Sequence, residues 1–531
     1  MKIRLLVFVS AVLLVLSCSS EVSSDDSKRV FRYNEYSNIS SLDPAFAKNQ
    51  AHIWAINQLY NGLVKLNGQL EVVSDIADSW EIDQGGKRYR FTLKPEVRFH
   101  DNPCFNDGRG RAVKASDFEY SFSRLTDRNL AAPGAWLFAK VAGFYAESDS
   151  VFVIELNEAF PPFLGLLAMK YCSVIPHEAV EYYKNDFSRN PVGTGPFQFR
   201  VWEENVKMVL TKNLNYFRKD ALGNSLPYLD AVSIRFLPDK QSEFLELLQG
   251  NIDLLSGLDP SYKDEIIGPQ GGLKEKYHSQ FKLLSAPYLN TEYLGVNMDM
   301  ESCMQDVRIR KALNLGFDRK KMIKYLRNNM GYPALQGMIP KGLPSHSDRV
   351  FTGYQPDVAK ELIQEVKAEH PNWDFSIKIS TNSQYLDLCE FIQREWQDLG
   401  LDVEVDVMPP STLKQSKATG KLQMFRASWI ADYPDGENYL SLFYSPNFAP
   451  GGPNYTHFSS SSFDKSFEMA IKILEVPNRI EAYKELDSLL MSSYPVIPLY
   501  YDKVIRMVPN NLVNMKINGV NMLDLEEVKK N

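Results

Sequence analysis

The 531-residue sequence lacks the features that mark several common classes of protein. Its 59 Lys and Arg residues are outnumbered by 66 Asp and Glu residues, so it has no basic excess of the kind that binds nucleic acid. It contains no G-x-S-x-G nucleophile elbow, no Walker phosphate loop and no dinucleotide-binding glycine fingerprint. Its seven histidines are dispersed, without the local spacing typical of a metal site. The sequence therefore predicts a protein that is not an enzyme, with no cofactor, no bound metal and no nucleic-acid partner.

Two short stretches resemble functional motifs only superficially. His177-Glu178 begins like the helix of a zinc protease, but position 181 holds Glu where that motif needs a second His. Gly193-Thr-Gly195 lacks the lysine of a phosphate-binding loop and leads into a strand-like segment. We therefore expect a helix start after Pro176 and a structural turn at the two glycines.

The sequence also has no apolar run of the ~20 residues that a membrane-spanning helix needs. Lys2 and Arg4 precede a shorter run, Leu5 to Leu16, which is typical of a secretory signal peptide over residues 1–17. The stretch ending in Ser17-Cys18 resembles a bacterial lipobox, which predicts lipidation of Cys18. Residues 18–29 would then form a flexible tether, because they are rich in Ser and Asp. The alternative is a plain signal peptide followed by an incidental cysteine.

Four further cysteines are present, and none belongs to a C-x-x-C pair, which argues against a zinc site. An exported protein meets an oxidising compartment, where disulfides persist. Cys104 and Cys172 lie in the same predicted domain, so a disulfide between them is one interpretation. Buried free thiols are the other.

Hydrophobic periodicity in the second half of the chain predicts a βαβ unit. Residues 374–380 alternate apolar and polar side chains, residues 388–399 place apolar side chains at helical spacing, and residues 401–407 alternate again. Gly400 stands where a helix C-cap glycine belongs. Further helices are predicted at 307–316 and 319–328, capped by Asp306 and Asp318, and at 242–249. Strands are predicted at 89–93 and 150–156, which makes the chain α/β or α+β in more than one lobe.

An ordered series of short motifs runs along the whole chain. The series is Ser41-Leu-Asp-Pro44, Leu59-Tyr-Asn-Gly-Leu63, "LEVVSDIADSWE", "YRFTLKPEVRFHD", Lys114-Ala-Ser-Asp-Phe-Glu-Tyr-Ser-Phe122, Val192-Gly-Thr-Gly-Pro-Phe197, Tyr293-Leu-Gly-Val-Asn297, Asp306-Val-Arg-Ile-Arg-Lys-Ala-Leu313 and Ala431-Asp-Tyr433. In this order and spacing, the motifs resemble the family 5 extracellular solute-binding proteins of ABC importers, over about residues 30 to 525.

The resemblance implies an α/β fold of the periplasmic-binding-protein type II class, a two-lobed clamp with an extra domain inserted in the first lobe. Lobe I would hold residues 30–65, 185–285 and 496–531, the inserted domain residues 66–184, and lobe II residues 286–495. The chain would cross between the lobes near Ser285 and near Tyr494, forming a hinge. A ligand is expected in the cleft between lobes.

The decapeptide "RASWIADYPD", residues 426–435, is the main candidate for the binding site. A peptide binder must meet an ammonium and a carboxylate, because an unpaired charge in a closed cleft is costly, and arginine suits a carboxylate. The resemblance implies that Asp432 holds the α-ammonium of a peptide and that Arg426 lies near the far end of the ligand. Trp429 and Tyr433 would wall the cleft. The alternative is that this stretch is an ordinary solvated turn, for which Pro and Asp-Gly are well suited.

Other candidate contacts are less sharply defined. The family's chain lines the cleft after the first motif, which here places Asn49 and Gln50 at the ligand; oligopeptide binders can have an acidic residue near Lys48. Met408-Pro-Pro410 stands where some members carry an aromatic residue. Trp136, in the inserted domain, either reaches the cleft or belongs to a core.

The resemblance therefore implies a monomeric lipoprotein that captures di- to oligopeptides and delivers them to the permease subunits of an ABC importer. It would be anchored to a membrane of the bacterial cell envelope and face the periplasm or the exterior. One alternative keeps the clamp and changes the solute to an oligosaccharide, a nickel chelate or haem. Another is a peptide receptor or chaperone without a transport role.

Overall fold

The computed structural model describes residues 29–259 and 261–531. The predicted signal peptide, the lipidation of Cys18 and the tether up to residue 28 lie outside these residues. Within the described ranges, none of the helices combines the length and the apolar character that crossing a bilayer requires.

The described residues confirm a mixed α/β chain. The strands are β1 (Val30–Asn34), β2 (Val64–Leu66), β3 (Val72–Ser74), β4 (Ala77–Asp83), β5 (Arg88–Leu93), β6 (Val141–Ser148), β7 (Val151–Leu156), β8 (Phe197–Glu203), β9 (Lys207–Lys212), β10 (Ala231–Arg235), β11 (Leu255–Ser256), β12 (Phe281–Val296), β13 (Tyr332–Pro333), β14 (Ser376–Thr381), β15 (Asp402–Val407), β16 (Met424–Ile430), β17 (Val496–Pro509), β18 (Leu512–Val513) and β19 (Lys529–Lys530). The α-helices are Gln50–Leu59, Ala115–Thr126, Phe163–Leu166, His177–Tyr183, Lys240–Leu248, Lys263–Ile266, Val307–Leu315, Arg319–Leu326, Pro356–Glu369, Leu386–Asp398, Pro410–Ala418, Glu437–Leu440, Ser461–Ala470 and Val476–Ser492.

Three larger sheets organise the molecule. One has the order β1-β10-β9-β8, and a second, β4-β5-β7-β6, is antiparallel throughout and lies within the predicted inserted domain. The third has the order β11-β17-β12-β16-β14-β15, with β13 also on β17. The long strands β12 and β17 pair antiparallel along most of their length, with the register shifting between Pro287 and Thr291. The predicted domain boundaries stay predictions.

The predicted βαβ unit is confirmed. Strands β14 and β15 pair in parallel, and the helix Leu386–Asp398 connects them. That helix buries Leu388, Ile392 and Trp396, and Gly400 follows it with φ of +88°, a conformation that glycine adopts without steric cost. The periodicity therefore located the elements, with strand starts shifted by one or two residues.

The other predicted elements are also present, with the starts of one helix and two strands shifted by one or two residues. Asp306 and Asp318 cap the helices Val307–Leu315 and Arg319–Leu326 through their side chains. The helix predicted to start at Ser242 begins at Lys240 instead, because Asp239 is its N-cap and accepts from the Ser242 amide at 2.7 Å.

The disulfide interpretation is wrong, because Cys104 and Cys172 are both free in the structure. Cys172 is buried, and its thiol donates to the Leu166 carbonyl oxygen at 3.8 Å. Cys104 is only half-buried and lies in a loop, where its amide donates to the Asn102 side chain at 3.0 Å. Both thiols are therefore free, as the other interpretation held, although only Cys172 is also buried.

The predicted inserted domain and predicted lobe II touch one another. Lys472 Nζ lies 3.3 Å from Glu158 Oε2, and Leu474 packs so closely on Gly86 that an added Cβ would lie 2.5 Å from its Cδ2. Gly165 faces Tyr433, with an added Cβ 3.8 Å from the tyrosine Cβ. These contacts leave cavities between the two parts of the chain.

Candidate functional site

Asp432 lines one of these cavities, which has a volume of about 280 Å³. The residue follows strand β16, whose last residues are half-buried or exposed, so the chain leaves the sheet at the cavity wall. The other lining residues come from distant parts of the sequence and are Ala47, Lys48, Asn49, Gln50, Ile53, Trp54, Leu66, Gly165, Ala168, Met169, Lys170, Tyr171, Tyr288, Ile430, Ala431, Val520, Asn521 and Met522. The structure thus brings Asn49, Gln50 and Asp432 together, as their predicted common role requires.

The Asp432 carboxylate has no cationic partner among the described residues, although much of its surface is reached by solvent. Nearby protein atoms partly desolvate the carboxylate, which raises its pKa, while a hydrogen bond with the Asn438 side chain lowers it. The Asp432 amide donates to Asn438 Oδ1 at 3.2 Å, which fixes the loop. A crowded carboxylate that lacks a cation gains most from a ligand that brings one.

The neighbouring acidic side chains in the same loop are already occupied. Asp435 Oδ1 accepts the Glu437 amide at 3.0 Å, and Asp435 Oδ2 lies 3.8 Å from Arg479 Nε. Glu437 accepts a hydrogen bond from the Tyr433 hydroxyl. Burial raises the pKa of Glu437 to about 7, against the effect of that hydrogen bond. Asp432 is therefore the carboxylate of this loop that remains available to a ligand.

Arg426 lies apart from this cavity and is already paired. It is 8% exposed, forms an ion pair with Glu292, and its guanidinium stacks 3.1 Å from the centroid of the Tyr385 ring. Glu292 is itself 2% exposed and accepts from Asn290 Nδ2 at 3.0 Å. The positive charge of Arg426 is thus balanced inside the protein, and the residue does not line the cavity of Asp432.

The aromatic candidates also take positions outside this cavity. Trp429 is half-buried, and its indole donates to Asn438 Oδ1 at 2.9 Å, so it supports the Asp432 loop. Tyr433 is buried and lines a second cavity of about 690 Å³ together with Tyr89 and Arg479. Trp136 is 46% exposed, in the 3-10 segment Pro133–Phe138, so it does not belong to a core.

Asn49 has a structural role besides lining the cavity. It is the N-cap of the helix Gln50–Leu59, and its side-chain oxygen accepts from the His52 amide at 3.1 Å. The same oxygen contacts His52 Nδ1. Gln50 is exposed at the start of this helix and also lines the cavity.

Sequence reasoning missed Lys170. It lies in the 3-10 segment Lys170–Cys172, is 8% exposed, and lines both the cavity of Asp432 and an adjoining cavity of about 270 Å³. A signal was present, because Lys170 is the single charged residue between Phe163 and Pro176. Charged side chains are rarely buried without a partner, so such a residue points to a special environment.

Comparisons with known proteins agree with this architecture. The family model for bacterial extracellular solute-binding proteins, family 5, matches residues 71–450. The glutathione-binding protein GsiB of Salmonella typhi is 24% identical over 491 residues, covering 91% of this chain and 90% of that protein. Heme-binding protein A of Haemophilus influenzae is 26% identical over 536 residues and covers 94% of each chain.

A solved structure gives the fold. The periplasmic binding protein DppA from Helicobacter pylori, in complex with the peptide STSA, superposes with a TM-score of 0.76 at 24% identity, covering 95% of this chain and 99% of that chain. The expected type II periplasmic-binding-protein clamp with two lobes is thereby confirmed.

Proposed function

Because the chain belongs to the bacterial extracellular solute-binding proteins of family 5, we propose that it captures short peptides in the cavity of Asp432 and delivers them to the permease of an ABC importer. The observation that carries this proposal is the Asp432 carboxylate, which is crowded by the cleft and has no cation beside it among the described residues. The α-ammonium of a peptide supplies the missing charge. Such a charge-assisted bond strengthens as the closing lobes exclude water.

The rest of the cavity suits a peptide backbone. Asn49 and Asn521 offer their side-chain amide N–H groups as donors, because their oxygens already accept from His52 and Arg506. Gln50 offers a donor and an acceptor, while Ile53 and Trp54 add apolar surface. Peptide amides need hydrogen-bond partners when they are desolvated, and groups of this kind serve any sequence. Capture needs no bond to be made or broken, which agrees with a family of binding proteins.

We place the protein in the bacterial cell envelope, held by lipid on Cys18 and facing the periplasm or the exterior. The support is the charged and apolar pattern of residues 2–18.

The test is a calorimetric titration with dialanine and trialanine. The wild-type protein should bind them, and N-acetylation of the peptide or Asp432→Asn should weaken binding about 10- to 100-fold, because a charge-assisted bond is lost. Asp398→Asn, an exposed residue at the end of a helix remote from this loop in sequence, is the matched control and should bind like the wild type. Equal affinity for free and N-acetylated peptides would refute the role of Asp432.

A further inference from the structure

A peptide with free termini also brings a carboxylate, and the structure must supply a cation for it if the cavity closes around the whole ligand. Arg426 is already committed to Glu292 and lies away from the cavity. Two other lysines or arginines line the cavity of Asp432, namely Lys48 and Lys170. Lys48 is exposed at the rim, where solvent weakens any ion pair. Lys170 is 8% exposed.

The charge of Lys170 is not matched by a contact inside the described part of the protein. Its ammonium forms no ion pair or hydrogen bond there, whereas its neighbours are paired: Lys65 Nζ lies 2.8 Å from Glu526 Oε2, and Arg218 Nη2 lies 2.6 Å from Asp75 Oδ1. Burial lowers the pKa of Lys170, and Lys65 and Arg218 lower it further, while the more distant carboxylates of Asp75 and Asp524 raise it. Because most of the Lys170 side chain is buried and its ammonium has no contact partner among the described residues, this group gains from an incoming anion.

The two side chains also come from different parts of the fold. Lys170 belongs to the predicted inserted domain of lobe I, and Asp432 to predicted lobe II. A ligand that pairs with both side chains therefore ties the two parts of the clamp together, and a ligand with one charge does not. Beyond Lys170 the adjoining cavity begins, and it shares Leu66, Ala168, Lys170, Val520 and Met522 with the cavity of Asp432.

We propose that Lys170 binds the carboxylate of the solute, so that the site selects short zwitterions whose ammonium and carboxylate span the distance from Asp432 to Lys170. This inference rests on the proposed function. It adds the direction in which the peptide lies in the cavity and a requirement for a free carboxylate. The cavity volume of about 280 Å³ lies near the small end of the ~300–1,000 Å³ range of ligand pockets, which favours the shortest peptides. The adjoining cavity accommodates water or additional ligand length.

The experiment compares dialanine and trialanine with their C-amidated forms on the full chain. Amidation should weaken binding to the wild-type protein about 10- to 100-fold. Lys170→Met should bind the free peptide more weakly by the same factor, and amidation should not weaken its binding further. Lys170→Arg should still bind the free peptide more tightly than the amidated one. Lys48→Met, which changes the rim of the same cavity, is the matched control and should still discriminate.

The outcomes separate the inference from the function on which it rests. If amidation has no effect on the wild-type protein, or if Lys48→Met removes the discrimination and Lys170→Met does not, the role of Lys170 is refuted. Loss of binding on N-acetylation would leave the role of Asp432 intact in either case. If neither dialanine nor trialanine binds to the wild-type protein, the peptide function itself fails. The amidation arm uses unaltered protein, so it holds even if a Lys170 variant folds poorly.

Discussion

At the scale of single residues, acidic side chains close together in the sequence differ in whether they are free to bind a ligand. Asp432, Asp435 and Glu437 lie within six positions, yet two of them are satisfied by Arg479, Tyr433 and local amides. The sequence shows three acids and a turn, and the partner that occupies Asp435 comes from 44 positions further along the chain. The family resemblance singled out Asp432. Local sequence could not, because which of the three carboxylates lacks a cationic partner depends on tertiary contacts.

The buried pair of Arg426 and Glu292 gives the first prediction at this scale. Arg426→Met should lower the free energy of unfolding by about 3–5 kcal/mol, because it leaves the Glu292 carboxylate buried without its cation and close to Asp502, whose pKa burial and Glu292 raise to about 6. The double variant Arg426→Met/Glu292→Gln should recover much of that loss. Urea unfolding of the three proteins measures both effects. A single variant that unfolds like the wild type but binds peptide more weakly would instead make Arg426 a ligand contact.

Glu437 gives a prediction about pH. Burial raises its pKa to about 7 from an ordinary value of 4.5, so between these values the folded protein binds a proton that the unfolded chain does not. Its contribution to stability is therefore complete below pH 4.5 and is lost as the pH rises through 7. Glu437→Gln removes this titration, and the Gln oxygen still accepts from Tyr433.

The variant and the wild type should have similar stability near pH 4.5. At pH 8 the variant should be the more stable by up to about 3 kcal/mol, since one pKa unit corresponds to about 1.4 kcal/mol. Thermal unfolding across this pH range measures the difference. Glu361→Gln, on an exposed helix surface, is the control and should follow the wild-type curve. Parallel curves for Glu437→Gln and wild type would contradict the assignment.

At the scale of elements, local signals were sufficient where the structure is local. The βαβ unit and the two Asp-capped helices follow from periodicity and capping residues within one segment. The disulfide could not be judged in this way, because its geometry depends on how a loop and a 3-10 segment are placed, and their cysteines are 68 positions apart in the sequence. The sequence predicts a structural turn at Gly193 and Gly195. The reason that the turn needs glycine is its close packing against another part of the chain.

That turn gives the prediction at the element scale. The Gly195 amide donates to the Leu59 carbonyl oxygen at 2.9 Å, and an added Cβ would lie 2.4 Å from the Leu59 carbonyl carbon and 2.6 Å from the Gln58 oxygen. Gly195→Ala should lower the free energy of unfolding by about 1–3 kcal/mol, because backbone at a helix end must move. Gly143→Ala, with no atom within 4 Å of the added Cβ, should have little effect. Equal stability of both variants would mean that the close approach is not needed.

At the scale of the whole molecule, the two-lobed clamp was predictable from the ordered motifs, while the charges of its cavity were not. The wall of the Asp432 cavity is assembled from residues near positions 50, 170, 288, 432 and 521. Their arrangement depends on strands β12 and β17 pairing over a long distance and on contacts such as that of Lys472 with Glu158. The family resemblance predicts the fold. Only the three-dimensional structure shows which charged side chains in the cavity lack partners among the described residues.

The central claim is that Asp432 holds the ammonium of captured peptides, and native mass spectrometry of the protein as purified tests it most directly. Peptides of varied sequence should remain bound to the wild-type protein and be released on denaturation, and they should be absent or strongly depleted in Asp432→Asn prepared in the same way. Asp398→Asn should carry the same peptides as the wild type. A single non-peptide mass such as haem, or peptides retained equally by Asp432→Asn, would contradict the account.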